Sequence, residues 1–186
     1  MAQKTCLIVA ALVRRGEEVL LVHQRGADDA APSWALPGGV VEPEEPLTGA
    51  LLREVREETG LEVTDPGHWL YVVQHDPSAE GRQTLAFVFA VTAWRGETRV
   101  ADPDNLILGA RFLPLAEAIE ALESLPWPTM RAPIVAYLRG EAGQGAVWRY
   151  RRRPDGSDER VARTSGVGRR EEFGAANWPP RSCQVR

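Results

Sequence analysis

The segment LPGGVVEPEEPLTGALLREVREETGL, residues 36–61, constrains the fold of this chain more than any other part of it. Apolar side chains recur at helical spacing in its second half. A proline near the start is compatible with a first helical turn, because its missing N–H would have no partner there, and Gly60 is typical of a helix end. The segment therefore predicts a loop followed by a helix over about residues 46–59.

Three glutamates crowd the last turns of this predicted helix. Glu54 and Glu58 stand four residues apart, and like charges at that spacing destabilise an isolated helix by about 0.2–0.5 kcal/mol per pair. On a helical wheel, Glu54, Glu57 and Glu58 border the apolar stripe, whereas Arg56 falls opposite it. Carboxylates at the edge of a core indicate a bound cation, and their oxygens suit Mg²⁺ or Mn²⁺. The alternative is a structural helix with a surface charge run.

The spacing of the segment resembles the Nudix box. Five residues separate Gly39 from Glu45, and seven more separate Glu45 from Arg53. The remaining fixed positions of the box are then matched by Glu54, apolar Val55, Glu57, Glu58, Gly60 and apolar Leu61. The chain therefore looks like a Nudix hydrolase, and the motif itself covers residues 36–61.

The resemblance implies an α/β/α sandwich with a mixed β-sheet and hydrolysis of a nucleoside diphosphate linked to another group. It implies catalytic or metal-binding roles for Glu54, Glu57 and Glu58, with Arg53 at the same site and Gly39 at the metal site. Glu45, Gly38 and Gly60 would support this site. Mg²⁺ is the expected cofactor, with Mn²⁺ as an alternative. Which glutamate is the general base stays open, as does a later acidic ligand, for which Glu80, Glu97, Asp102 and Asp104 are candidates.

The substrate is less constrained by the sequence. Pro77 follows Leu61 by sixteen residues, where members of this family that hydrolyse ADP-ribose carry proline, so ADP-ribose or a nucleotide sugar is slightly preferred. Arg25, Trp34 and Arg82 are the candidate substrate-binding residues. The alternatives are a (d)NTP pyrophosphohydrolase that cleanses the nucleotide pool and a non-catalytic nucleotide-sensing module that kept the fold.

The rest of the chain predicts one domain and a tail. Strands are expected over about 5–13, 17–25, 69–75, 84–94 and 110–115, a loop over 26–39, and further helices over about 115–124 and 130–139. This order favours a mixed sheet covered by helices, with the Nudix domain at 1–140 and a poorly ordered, basic, Gly/Pro/Arg-rich tail at 141–186.

The charge and the cysteine content of the chain limit its possible partners and cellular compartment. Residues 149–186 carry 10 Lys+Arg against 5 Asp+Glu, in a chain of formal net charge −4. Arginines beside Trp148 and Tyr150 raise the alternative of an RNA-guiding tail, but interspersed acids argue against a nucleic-acid partner. Cys6 and Cys183 are too few for a disulfide framework. No signal peptide or membrane span is expected, so we predict a cytoplasmic enzyme with a small nucleotide substrate; a homodimer is a further option.

Overall fold

The computed structural model describes residues 4–26, 31–76 and 82–164. Strands and helices alternate irregularly along the chain, as expected for a mixed α/β domain. In chain order they are β1 Lys4–Arg15, β2 Glu18–Gln24, β3 Ser33–Ala35, β4 Gly38–Val40, α1 Leu47–Thr59, β5 Glu62–Asp65, β6 His68–His75, β7 Arg82–Val91, β8 Ala93–Arg95, β9 Ile107–Pro114, α2 Leu115–Glu123, α3 Pro128–Leu138, β10 Ala146–Arg152 and β11 Asp158–Arg163.

Strand β1 organises the main sheet. The order is β11-β10-β6-β7-β1-β2-β3, with β4 paired to β1 and β9 paired to β2. β1 runs parallel to β7 along most of its length and meets β2 only at its last two residues, Arg14 and Arg15. The pairing of β1 with β2 is therefore short, and the two strands diverge into different parts of one mixed sheet.

Helices cover the two faces of the sheet over two separate apolar clusters. α1 buries Leu51 and Val55 against β1 residues Val9 and Val13. α2 and α3 bury residues such as Leu122 and Ile134 on the other side. The α/β/α sandwich with a mixed sheet is thus confirmed. Among the described residues, no helix is both long and apolar enough to cross a membrane.

Two parts of the chain differ from the sequence-based expectation. The predicted loop over 26–39 contains the short strands β3 and β4. The expectation of a poorly ordered tail from residue 141 was wrong for residues 146–163, where β10 pairs parallel to β6 and β11 closes an antiparallel hairpin. Trp148 explains why this part of the tail is ordered, because its large apolar side chain is buried in the core. The rest of the tail, from 165, lies outside the described residues, as does Cys183, while Cys6 is a free thiol.

Candidate active site

Helix α1 ends where the sequence predicts. Gly60 adopts a left-handed conformation with φ 77°, and its N–H donates to the Arg56 carbonyl over 2.9 Å. The loop after β8 completes the helix end, because the Arg99 and Ala101 N–H groups donate to the carbonyls of Thr59 and Glu57 over 2.7 and 2.9 Å. These bonds satisfy carbonyls that a helix C-terminus would otherwise leave unpaired. They also bring the loop over 97–103 beside the acidic turns of α1.

Arg53 holds the acidic side chains of the site together. Its Nε and Nη2 donate to the two carboxylate oxygens of Glu45, each over 3.0 Å. Its Nη1 donates to Glu54 Oε1 over 2.8 Å and to Glu57 Oε2 over 3.4 Å. The paired guanidinium lowers the pKa of Glu45, while the acidic partners raise the pKa of Arg53. One arginine thus orients three carboxylates, which is the supporting network that the motif implies.

Glu58 is the most deeply buried carboxylate of the group, with 8% of its surface exposed. It reaches the other side of the site, where Glu58 Oε2 accepts the Gly38 N–H over 2.7 Å. Burial raises the pKa of Glu58 to about 8, and the negative charges of Glu54, Asp102 and Glu57 add to that rise against the Gly38 hydrogen bond. Burial likewise raises the pKa of Glu54. A buried carboxylate among negative neighbours is stabilised by a cation.

Gly39 leaves room for the Glu54 carboxylate. A Cβ at this position would lie 2.6 Å from the Glu54 carboxyl carbon, inside van der Waals contact. Gly38, its neighbour, is packed against the backbone of Val9 and Ala10 on β1. β4 therefore approaches both β1 and α1 closely only because it begins with two glycines.

Asp102 is the later acidic residue that the structure brings to the cluster. Its negative charge acts on Glu58, and its own carboxylate caps the loop by accepting the N–H groups of Leu106 and Ile107 over 2.5 and 2.8 Å. Glu97 lies in the neighbouring surface depression with Glu57. Glu80 lies outside the described residues. The sequence could not rank these acids, because the bonds that position their loop are made by backbone groups.

The donor set fits a hard divalent cation. Carboxylate oxygens converge from α1, a β4 glycine keeps space for one of them, and the group carries more negative charge than Arg53 offsets. Among residues 4–26, 31–76 and 82–164, no three acidic, histidine or cysteine side chains stand in a ready metal-binding arrangement. The carboxylates instead face Arg53 and the Gly38 N–H, so Glu54, Glu57 and Glu58 would turn from these partners to hold the ion.

A cavity of about 580 Å³ lies on the opposite face of the sheet, between β1, β6, β7 and the helices α2 and α3. We call it the sheet pocket. Its walls are mostly apolar, and its polar lining side chains include Gln24, His75, Arg82, Thr84, Thr129, Arg152 and Asp158. Leu36 lines the pocket, and Gly38, two residues on along the chain, donates its N–H to Glu58. A volume of this size suits a small organic ligand.

The three candidate substrate-binding residues lie in different places. Arg82 lines the sheet pocket. Arg25 donates instead to the Asn105 carbonyl over 3.0 Å, and Trp34 stacks on His23 with ring centroids 4.7 Å apart. Neither Arg25 nor Trp34 lines the pocket. Pro77 lies outside the described residues.

The loop before α1 contains one residue with a left-handed backbone. Glu44 has φ 65°, a conformation in which glycine is less strained. Glu42 contributes its N–H to Glu45 Oε2 over 3.1 Å, so its backbone supports the site.

Comparison with known proteins agrees with this geometry. The model of the NUDIX domain matches residues 4–138. The chain is 32% identical over 128 residues to the CTP pyrophosphohydrolase of Escherichia coli, spanning 63% of this chain and 93% of that protein. It is 35% identical over 148 residues to the human 8-oxo-dGDP phosphatase, spanning 77% of this chain but 41% of that longer protein.

Solved structures show the same fold. The crystal structure of a MutT NUDIX hydrolase from Burkholderia pseudomallei superposes with a TM-score of 0.54 at 31% identity, covering 74% of this chain and 98% of that one. The solution structure of the Escherichia coli ORF135 protein gives a TM-score of 0.59 at 26% identity, covering 74% and 91%. With the domain match spanning most of the chain and the box glutamates in place, this protein belongs to the Nudix family of hydrolases.

Proposed function

We propose that this Nudix pyrophosphohydrolase cleaves a diphosphate bond in a nucleoside triphosphate or a closely related nucleotide, with Mg²⁺ as its cofactor. The observation that carries the proposal is the carboxylate cluster of α1 together with a pocket large enough for a base, because Leu36 of that pocket lies two residues before Gly38, which binds Glu58. A nucleotide lying across β4 would place its base among apolar side chains and its phosphates beside Glu54, Glu57 and Glu58.

The chain's own residues have distinct tasks in this reaction. Glu57 and Glu58 would hold the cation, and Glu54 would hold it or accept the proton of the attacking water. Before a cation binds, Arg53 holds Glu54 and Glu57 in position, and the Gly38 N–H holds Glu58 by a hydrogen bond. When bound, the divalent cation neutralises the diphosphate and makes water more acidic. Mn²⁺ suits the same oxygen donors.

The choice of nucleotide rests on the relatives. Among the similar proteins, one is named for CTP and others for 8-oxo-dGDP or 8-oxo-dGTP. These names favour a (d)NTP substrate. The hypothesis of ADP-ribose or a nucleotide sugar depends on Pro77 and stays a prediction.

A sensing role and an RNA-guiding role have less support. A non-catalytic sensing module would be expected to lose box glutamates, and this chain keeps Glu54, Glu57 and Glu58. An RNA-guiding tail is disfavoured, because the arginines of its first part are paired with acids. These pairs are Arg149 and Arg151 with Asp76, Arg152 with Asp158, and Arg153 with Glu159. Cytoplasmic location and homodimerisation remain predictions, testable by fractionation and analytical ultracentrifugation.

The test is a substrate panel with Mg²⁺, containing canonical and oxidised (d)NTPs, ADP-ribose, nucleotide sugars, dinucleoside polyphosphates and coenzyme A. We expect the highest kcat/KM for a nucleoside triphosphate, with release of diphosphate. Glu57→Gln and Glu58→Gln should each lower turnover by about 10²-fold or more. Glu117→Gln, at an exposed position of α2, is the matched control. Full activity of both box variants would refute the assignment, and a preference for ADP-ribose would restore the hypothesis based on Pro77.

A further inference from the structure

The hairpin β10–β11 contributes to the sheet pocket although it lies beyond the matched family domain. The domain match ends at residue 138, whereas Arg152 on β10 and Asp158 on β11 line the pocket. His75, at the end of β6, is the third member of this polar group. We call these three residues the polar rim.

Hydrogen bonds and an ion pair connect the three residues of the polar rim to one another and to the backbone around them. His75 Nε2 lies 2.8 Å from Asp158 Oδ1, and its other ring nitrogen lies 3.2 Å from the Asp76 carbonyl. Arg152 Nε lies 3.2 Å from the same Asp158 oxygen, across a register pair of the hairpin. Arg152 Nη1 also donates to the Gly156 carbonyl in the turn. Because a carboxylate only accepts hydrogen bonds, His75 is the donor to Asp158.

Asp158 lines the pocket with a carboxylate whose two oxygens differ in their partners. Within the described residues, its contacts with His75 and Arg152 both fall on Oδ1, and neither involves Oδ2. The Asp158 side chain is only 7% exposed. A nearly buried carboxylate beside an apolar cavity selects for ligands with hydrogen-bond donors, because a polar group left unpaired on ligand binding costs free energy.

We propose that Asp158 is a specificity-determining residue, whose Oδ2 accepts the exocyclic amino group of the substrate base. The rim then favours cytosine or guanine, which present an amino group next to a ring nitrogen, over uracil or hypoxanthine, which lack it. His75 and Arg152 act through Asp158 as positioning residues. This inference rests on the proposed function, which places the base in this pocket.

Binding of nucleoside monophosphates tests the inference without hydrolysis. Titration calorimetry with CMP against UMP, and with GMP against IMP, compares bases that differ at the amino group. The wild-type chain should bind the amino member of at least one pair about tenfold or more tightly, as expected when a polar site rejects an analogue that lacks its partner. Equal affinity within both pairs, or no binding of any of the four, would overturn the inference.

Asp158→Asn sharpens the comparison. Its amide oxygen would stay with His75 and Arg152, so an NH₂ donor would face the pocket, and the preference for the amino base should vanish or reverse. Glu159→Gln is the matched control, since it removes the same charge from the next residue of β11, which does not line the pocket. A preference that survives in Asp158→Asn would contradict the assignment. Circular dichroism checks that the variant is folded. If the variant is unstable, the wild-type affinities for CMP against UMP and for GMP against IMP decide whether the inference holds.

The two proposals fail in different ways. Nucleotide hydrolysis without any preference for an amino base would leave the proposed function standing and remove the role of Asp158. A clear binding preference in a chain that hydrolyses no nucleotide would support the role of Asp158 and remove the proposed function.

Discussion

At the level of single residues, Arg53 holds the acidic side chains of the site close together by hydrogen bonds. It contacts Glu45, Glu54 and Glu57, and it also donates to the Val40 carbonyl on β4 over 3.2 Å. Such charge-assisted bonds fix side chains that repulsion would otherwise separate. The cost of crowding carboxylates on α1 is therefore partly offset before any cation binds.

Gly39 offers a test of this packing. Gly39→Ala should lower kcat/KM by about 10²-fold, because the new methyl group displaces the Glu54 carboxylate, and a misplacement of about 1 Å can have that effect. Steady-state kinetics on the best substrate measures it. Gly109→Ala is the control, because a Cβ there meets no atom within 4 Å. Unchanged kinetics in Gly39→Ala would contradict the role of Glu54.

At the level of elements, the β10–β11 hairpin extends the sheet beyond the family domain. Trp148 on β10 is 1% exposed, and the guanidinium groups of Arg160 and Arg163 lie 5.6 and 5.1 Å from its ring centroid. Arg149, the next residue along β10, donates twice to Asp76 over 2.7 and 2.9 Å. The apolar anchor Trp148 and this ion pair thus help to attach a charged segment to the fold.

Replacing the apolar anchor should destabilise the whole domain. Trp148→Ala should lower the free energy of unfolding by about 3–5 kcal/mol, as for other large core truncations. Urea unfolding followed by circular dichroism measures the change. Trp69→Ala, at a tryptophan that is 45% exposed on β6, is the matched control and should cost much less. Equal stability of both variants would show that the hairpin does not share the core.

The ion pair gives a pH-dependent prediction. Hydrogen bonding to Arg149 is the main cause that lowers the pKa of Asp76 below its ordinary value of 3.8. Because the pKa of Asp76 is lower in the folded state, the ion pair stabilises the protein fully at pH values above the ordinary pKa of 3.8. This stabilisation is lost as the pH falls through the lower pKa of the folded state.

Asp76→Asn should therefore lower the thermal midpoint at pH 7, with the deficit shrinking below about pH 3.8. Thermal unfolding from pH 7 down to pH 3 measures this difference. Asp104→Asn, in an exposed loop, is the control. A deficit independent of pH would indicate a packing effect instead.

At the level of the whole molecule, stability and function are linked through the acidic cluster. A ligand that binds only the folded state stabilises it by about 2.7 kcal/mol at a hundred times its dissociation constant. Without a cation, the raised pKa of the buried Glu58 carboxyl makes this residue a destabilising feature at neutral pH, since the unfolded chain would ionise it freely. Added Mg²⁺ should accordingly raise the melting temperature.

Differential scanning fluorimetry with Mg²⁺ and with EDTA tests this linkage. In EDTA, Glu58→Gln should melt at or above the wild-type temperature at neutral pH, because the neutral amide keeps the Gly38 hydrogen bond and removes a carboxyl group whose ionisation burial opposes. With Mg²⁺, the same variant should lose most of the wild-type increase. Glu117→Gln is again the control. A variant that melts lower in EDTA and responds fully to Mg²⁺ would exclude Glu58 as a cation ligand.

The sequence alone predicted the catalytic helix, its end at Gly60 and the family, because these depend on local spacing along one segment. The fixed offsets of the box place Glu54, Glu57 and Glu58 on one side of α1 whatever the rest of the chain does. The same local patterns located five of the eleven strands in the described residues and both further helices. They missed the short strands β3, β4, β5 and β8. They also failed for β10 and β11, where arginine-rich composition masked the alternation of Trp148 and Tyr150 with charged residues.

Only the tertiary structure decided what surrounds the helix. The loop that carries Asp102 brings its negative charge near enough to raise the pKa of Glu58, and Asp158 contacts His75 across 83 positions of sequence. Neither relation leaves a periodic signal in the sequence, because each depends on how distant parts of the chain fold together. The sequence therefore determined the chemistry that α1 can support, and the sheet topology decided which pocket adjoins it and which side chains line that pocket.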